Sequence, residues 1–140
     1  MTQALYSATS TAWGGRDGRV TSSDGRIDLQ LSIPKSIGGD DGAGTNPEQL
    51  FATGYAACFH SALKLVAGQE KVDVSESAVS VTVDLLSDDG GFGIGAKIEA
   101  ELPGVDPETA RRLVDRAHEV CPYSKATRGN IPSEVVVVEG

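Results

Sequence analysis

Between residues 26 and 34 apolar and polar side chains alternate one by one. In an extended chain Ile27, Leu29, Leu31 and Ile33 point to one face and Asp28, Gln30 and Ser32 to the other, so the period of two predicts a half-buried strand. Upstream, residues 3–12 and 20–23 predict further β structure, punctuated by GGRDGR at residues 14–19 and by the Asp24-Gly25 turn signal. Two later runs, 77–87 and 93–102, flank DDGGFG and predict a hairpin. The closing EVVVV predicts a last strand. KSIGGDDGAGT, with four glycines in eleven residues, reads as a mobile loop or the approach to a binding site.

Helical patterns separate these runs. Asn46 can cap a helix whose first position is Pro47, with Glu48 in the first turn and Gln49 three residues after the cap. The helix is predicted to run to about residue 67, ending before Gly68. Its apolar and small residues lie in nearly every direction around the axis, which predicts burial almost all round. At about 33 Å it matches the diameter of a small domain, so a second subunit is expected to cover part of it. A second helix starts at Asp106 and Pro107, carries Leu113, Val114, Ala117, Val120 and Cys121 on one face, and is expected to stop at Cys121 before Pro122. Three strands, a helix, a hairpin, a helix and a strand make an α+β order rather than an alternating one.

At 140 residues, 39% hydrophobic and 23% charged, the chain is expected to form one folded domain over 1–140. The formal net charge of −8 repels phosphate backbones and anionic lipid surfaces, which argues against nucleic acid as a partner. The most apolar run, 50–67, contains His60 and Lys64, so no membrane span is expected. MTQALYSATS lacks the basic start and apolar stretch of a secretory signal, and a cytoplasmic location is the expectation.

Two cysteines 63 residues apart form no metal-ligand pair. Cys58 lies more than two turns inside the first helix, away from the N-terminus that often activates a thiol, and position alone favours packing. Cys121 falls at a helix C-terminus, where the dipole disfavours its thiolate; that suits a resolving thiol better than an attacking one. His60 is about 200° round the helix from Cys58 and cannot face it. His118, three residues before Cys121, could reach it, which leaves a Cys-His nucleophile pair open without an orienting third group. GGRDGR and GGDDGAG lack the lysine and the strand-to-helix context of nucleotide-binding loops and read as turns. The first presents Arg16 and Arg19, between which physics alone does not choose.

GTNPEQLFATGYAACF (44–59), VCPYSKATRGNI (120–131) and GGRDGR followed by SSDG (14–25) resemble the organic hydroperoxide resistance proteins, Ohr, of the OsmC/Ohr family. The resemblance runs in the same order along nearly the whole chain. It implies antiparallel β-sheets with two main helices in an intertwined homodimer, and a thiol peroxidase that reduces organic hydroperoxides to alcohols. It further implies Cys58 as peroxidatic thiol, Cys121 as resolving thiol, Arg16 as the thiolate's cation and Glu48 as the carboxylate orienting Arg16. No bound cofactor is implied; an external dithiol, the dihydrolipoyl group of lipoylated proteins, is the implied reductant.

A free thiol with a pKa near about 8.5 is only about 3% ionised at pH 7, so ionisation alone can raise reactivity by at most roughly thirtyfold. Arg16 is therefore expected also to donate hydrogen bonds to the peroxide oxygens as charge develops. A Cys58–Cys121 disulfide would require Cα atoms within about 7 Å, which predicts that residues 58 and 121 pack side by side. Phe51, Tyr55 and Phe59 flank Cys58 and could line a pocket for an alkyl or lipid chain, although each is individually an ordinary core residue. Glu48 and Cys58 are about 15 Å apart along a continuous helix. Service of Cys58 by Glu48 and Arg16 in trans across a dimer, or a kink at Gly54, would reconcile them with one Arg16. A peroxide sensor or fatty-acid-peroxide binding module without multiple turnover, and a structural dimer with packing cysteines, are the competing readings.

Overall fold

The structure, a computed structural model, describes residues 2–139. The chain divides into two compact units, residues 1–50 and 51–140, with the boundary after Leu50.

The first unit is a three-stranded antiparallel meander of β1 (Ser10–Trp13), β2 (Arg19–Ser22) and β3 (Asp28–Gln30). Ala12 pairs with Val20 and Val20 with Leu29. GGRDGR makes the tight connection expected of it. Gly14 (φ 77°) and Gly15 (φ 59°) adopt left-handed backbone, Gly15–Asp17 form one 3-10 turn, and a Cβ on Gly18 would overlap the Trp13 carbonyl.

Two strand expectations need correction. The run at 3–12 is extended strand only from Ser10, and the alternating segment forms the three-residue β3 followed by a single parallel bridge from Leu31 to Thr45. Of its four apolar residues only Leu31 is buried; Ile27 and Leu29 are 42% and 41% exposed. Alternation encodes that a strand has an apolar face, but not what covers that face. The glycine-rich segment turns at Lys35–Ile37 and returns along the end of β3, with the Ser32 amide donating to Thr45 and the Thr45 amide to Gln30, both at 2.9 Å.

Helix α1 (Pro47–Gln69) starts as predicted: the Asn46 side chain accepts from the Gln49 amide at 2.8 Å. Gln49 does not close a reciprocal capping box, since its side-chain oxygen accepts from the Thr45 hydroxyl at 2.7 Å.

The second unit holds the rest of α1, β4 (Ala78–Asp88), β5 (Gly91–Glu101), α2 (Pro107–Val120), α3 (Pro122–Thr127) and β6 (Ser133–Val138). The predicted hairpin is the β4–β5 pair, in register from Ala78 opposite Glu101 to Asp88 opposite Gly91. β6 adds to β5 in parallel, giving the order β4-β5-β6. Asp106 caps α2 by accepting from the Thr109 amide at 3.0 Å. The core joins Tyr55, Phe59, Leu63 and Val66 of α1 to Leu113, Val114 and Ala117 of α2 and to Ile98 and Ala100 of β5.

In the single chain α1 is buried on one face, leaving Thr53, Ala57, Ser61, Lys64, Leu65 and Gly68 exposed; the expectation is that a second subunit covers part of this helix. By length and composition α1 could cross a bilayer, yet its large side chains supply the core of this unit. Pro122 does more than stop α2: it opens α3 at the first helical position, where its missing N–H costs nothing.

Candidate functional site

In the first unit, the turn after β1 presents Arg16 and the first turn of α1 presents Glu48. Arg16 Nη1 donates to Glu48 Oε1 at 2.7 Å and Nη2 to Oε2 at 2.8 Å, a fork-to-fork pair. Both side chains are partly buried, 34% and 18% exposed. The Arg16 hydrogen bonds, aided by its charge, hold the Glu48 carboxyl below its ordinary range against the opposing effect of burial. Glu48 holds the guanidinium charged in return. Arg19, the other arginine of GGRDGR, is engaged on the sheet surface, its Nε donating to Asp28 at 2.7 Å. The structure thus distinguishes the two arginines, which the sequence alone did not.

In the second unit, Cys58 lies on α1 and Cys121 links α2 to α3, and both thiols are free. Their sulfurs are 3.6 Å apart. Cys121 is fully buried and Cys58 partly so. Burial pushes the Cys58 thiol up and the Cys121 sulfur adds to this; the Tyr123 backbone N–H, directed at Cys58, opposes them without reversing the result. The surroundings of Cys58 in its own unit therefore favour the thiol over the thiolate. Cys121 lies at the C-terminal end of α2, as expected, and at the same time occupies the N-cap position of α3.

Phe51, Tyr55 and Tyr123 form an aromatic cluster with ring centroids 5.7 to 6.1 Å apart. Phe51 and Tyr123, with Pro122, Ala126 and Thr127, line an apolar groove of about 370 Å³. Tyr55 and Phe59, the other two expected pocket residues, are fully buried in the core and do not line it. Phe59 packs on the His118 ring at 6.5 Å, and the Tyr55 hydroxyl bonds to Ser124 at 2.8 Å and Thr127 at 3.1 Å.

Among the described residues neither histidine is hydrogen-bonded to a thiol. His60 Nε2 bonds to the Ser77 hydroxyl at 2.9 Å. His118 Nδ1 is buried with no hydrogen-bond partner, and desolvation, then the charge of Arg128, lowers its pKa. Such an imidazole is kept neutral by its surroundings. Among the described residues no group of three or more His, Cys, Asp or Glu is arranged to hold a metal. Sequence reasoning assigned no role to Tyr123, Ser124 and Thr127, which lie beyond the expected stop at Pro122 within the VCPYSKATRGNI segment.

The family model of OsmC-like proteins matches residues 38–136, most of the chain. The chain belongs to the OsmC/Ohr family. Within the family it is 52% identical over 130 residues to an organic hydroperoxide resistance protein of Xanthomonas axonopodis pv. citri, covering 92% of each chain. The crystal structure of the organic hydroperoxide resistance protein OhrB of Bacillus subtilis superposes with a TM-score of 0.88 at 45% identity, covering 96% of this chain and 100% of that one. An organic hydroperoxide resistance protein from Elizabethkingia anophelis, crystallised with thiocyanate bound, gives a TM-score of 0.93 at 43% identity, covering 99% and 100%. The antiparallel meander, the β4–β5 hairpin and the two main helices are thus the OsmC/Ohr fold, and the resemblance to the Ohr branch read from the cysteine segments holds.

Proposed function

We propose that this chain protects against organic hydroperoxides as a thiol peroxidase, reducing them to alcohols. The observation that carries the reading is the 3.6 Å approach of two free, partly or fully buried sulfurs in a chain of the OsmC/Ohr family. The Cys58 thiolate attacks the outer peroxide oxygen and the O–O bond breaks. Cys58 becomes a sulfenic acid, and the departing alkoxide takes a proton from solvent and leaves as the alcohol. The Cys121 sulfur then attacks the sulfenic sulfur, forming the disulfide and releasing water. An external dithiol, the dihydrolipoyl group of a lipoylated protein, returns two electrons and two protons and restores both thiols.

The cation this chemistry needs is Arg16, oriented by Glu48. Support comes from the Cys58 environment: burial holds the thiol up, so an opposite charge must be supplied to ionise it. A lysine would lack the fork that addresses a carboxylate and a reacting centre together. In this reading the protein works in the cytoplasm as a homodimer, with Arg16 and Glu48 of one chain serving Cys58 of the other. The apolar groove beside Phe51 and Tyr123 takes the alkyl chain, and each buried CH₂ favours an organic peroxide over hydrogen peroxide by about 0.8 kcal/mol.

The test is to count product. With an organic hydroperoxide and dihydrolipoamide, many alcohol molecules per chain are expected; about one per chain would make the protein a sensor or binder, and none would make the cysteines structural. Dimer service is tested by mixing Arg16→Ala chains with Cys58→Ser chains. About one active site per heterodimer is expected, and no recovery sinks the trans arrangement.

A further inference from the structure

Tyr55 and Cys58 are three residues apart on α1, and Cys121 and Ser124 are three apart at the start of α3. Residues at that spacing share a helix face. Two rungs therefore cross between the segments in reversed order: Tyr55 to Ser124 at 2.8 Å and Cys58 to Cys121 at 3.6 Å. Along α1 they are separated by only about 4.5 Å. A displacement of α3 at the first rung is necessarily felt at the second.

The hydroxyl rung is built to be specific. Tyr55 and Ser124 are fully buried and Thr127 is 5% exposed, in a place where an unpaired hydroxyl would be costly. One proton assignment satisfies all three donors: Ser124 to the Tyr55 oxygen, Tyr55 to Thr127, and Thr127 to the Ser124 carbonyl at 3.3 Å. A phenylalanine would fill nearly the same volume as Tyr55, so what the oxygen adds is direction. α3 has only six residues. Apolar packing alone leaves so short a helix free to slide, whereas hydrogen bonds fix its register against α1.

We propose that the Tyr55 hydroxyl, locked by Ser124 and Thr127, is a positioning group that holds Cys121 against Cys58 for disulfide formation. It touches no reacting atom and acts through α3. The proposal rests on the thiol-peroxidase reading for its purpose, but its physical content is narrower: the hydroxyl lock raises the effective concentration of one thiol at the other.

The experiment is a redox equilibrium of the full chain with glutathione. Cys58 and Cys121 give two electrons and two protons to glutathione disulfide, forming the protein disulfide and two glutathione thiols. The equilibrium compares oxidised and reduced forms of one folded variant, so a purely structural loss that is equal in both forms cancels. Tyr55→Phe and Ser124→Ala are each expected to lower the effective concentration about five- to tenfold, the scale of one buried hydrogen bond. Thr127→Ser, which keeps a hydroxyl, should lie closer to the unmodified chain than Thr127→Val. Equilibria for Tyr55→Phe and Ser124→Ala within twofold of the unmodified chain would overturn the proposal, and if Tyr55→Phe does not fold, Ser124→Ala decides alone. Failure of the unmodified chain to turn over hydroperoxide would sink the peroxidase reading while leaving the glutathione result to judge the lock.

Discussion

The two units hold their polar pairs by different means. Among the described residues of the first unit the one buried apolar side chain is Leu31, while Trp13, Ile27 and Leu29 are exposed, and Arg16 and Glu48 meet through a glycine-built turn and a capped helix start. In residues 51–140 the thiols sit at the edge of a continuous core, with Cys121 itself part of it. The charged pair is fixed by backbone geometry and its own two hydrogen bonds; the thiol pair is fixed by packing. Substitutions in the second unit should therefore act through chemistry and stability together, and those in the first through charge.

The sharpest break separates the two cysteines. Cys58→Ser is expected to abolish hydroperoxide reduction altogether, because a serine hydroxyl is un-ionised at neutral pH and far less nucleophilic than a thiolate. Cys121→Ser should leave the first oxidation in place and stop the second step, so that mass spectrometry after a sulfenic-acid trap finds one adduct, on residue 58. An adduct on Cys121 in the Cys58→Ser chain, with continuing turnover, would reverse the assignment of roles.

Next comes the cost of hollowing each unit. Leu113 is fully buried in the second unit, and Leu113→Ala should cost about 2–5 kcal/mol in denaturant unfolding, a large share of the roughly 5–15 kcal/mol that holds a domain together. Leu29→Ala in the first unit removes a side chain that is 41% exposed and should cost under about 1 kcal/mol in a lone chain. In the proposed homodimer the same change should cost more and weaken association. A loss at Leu29 that is large at high protein concentration and small at low concentration would therefore mark an apolar face covered by a second copy.

What the sequence disclosed follows the same division. Local chemistry was legible: the Asn46 and Asp106 caps with their prolines, the β4–β5 hairpin, the GGRDGR turn and the one-sided face of α2 all depend on near neighbours in the chain. Tertiary facts were not. The alternation of Ile27 and Leu29 implied an inner face that the single chain leaves wet, and the all-round apolar character of α1 exceeds what the single chain covers. α3 was hidden because proline ends one helix and begins another with the same residue. Ser124 and Thr127 read as loop polarity until they proved to be buried partners of Tyr55. The roles of Cys58, Cys121, Arg16 and Glu48 came from the family resemblance, and Phe51, Tyr55 and Phe59 from their closeness to Cys58 along the helix; no periodicity brings residue 58 to residue 121.

The smallest expected effect concerns the charged pair and pH. Arg16 holds the folded-state pKa of Glu48 below its ordinary value of 4.5, so between those two values the unfolded chain binds more protons than the folded one. Stability from this pair is then fully present above about pH 4.5 and is lost as pH falls through the lowered folded value. A partly exposed ion pair is worth on the order of 0.5–1 kcal/mol, so the change in unfolding free energy should be modest but specific. Glu48→Gln should flatten this part of the acid limb, while the limb due to Glu70, held low by Arg112 and Arg116 in the second unit, persists. The same substitution should depress hydroperoxide reduction at neutral pH, where stability is otherwise unaffected by titration of this group, because an uncharged amide orients Arg16 less firmly than a carboxylate does. An acid limb identical to that of the unmodified chain would mean that Glu48 is not held low in the folded protein, and full activity in Glu48→Gln would remove the carboxylate from the mechanism and leave Arg16 to act unaided.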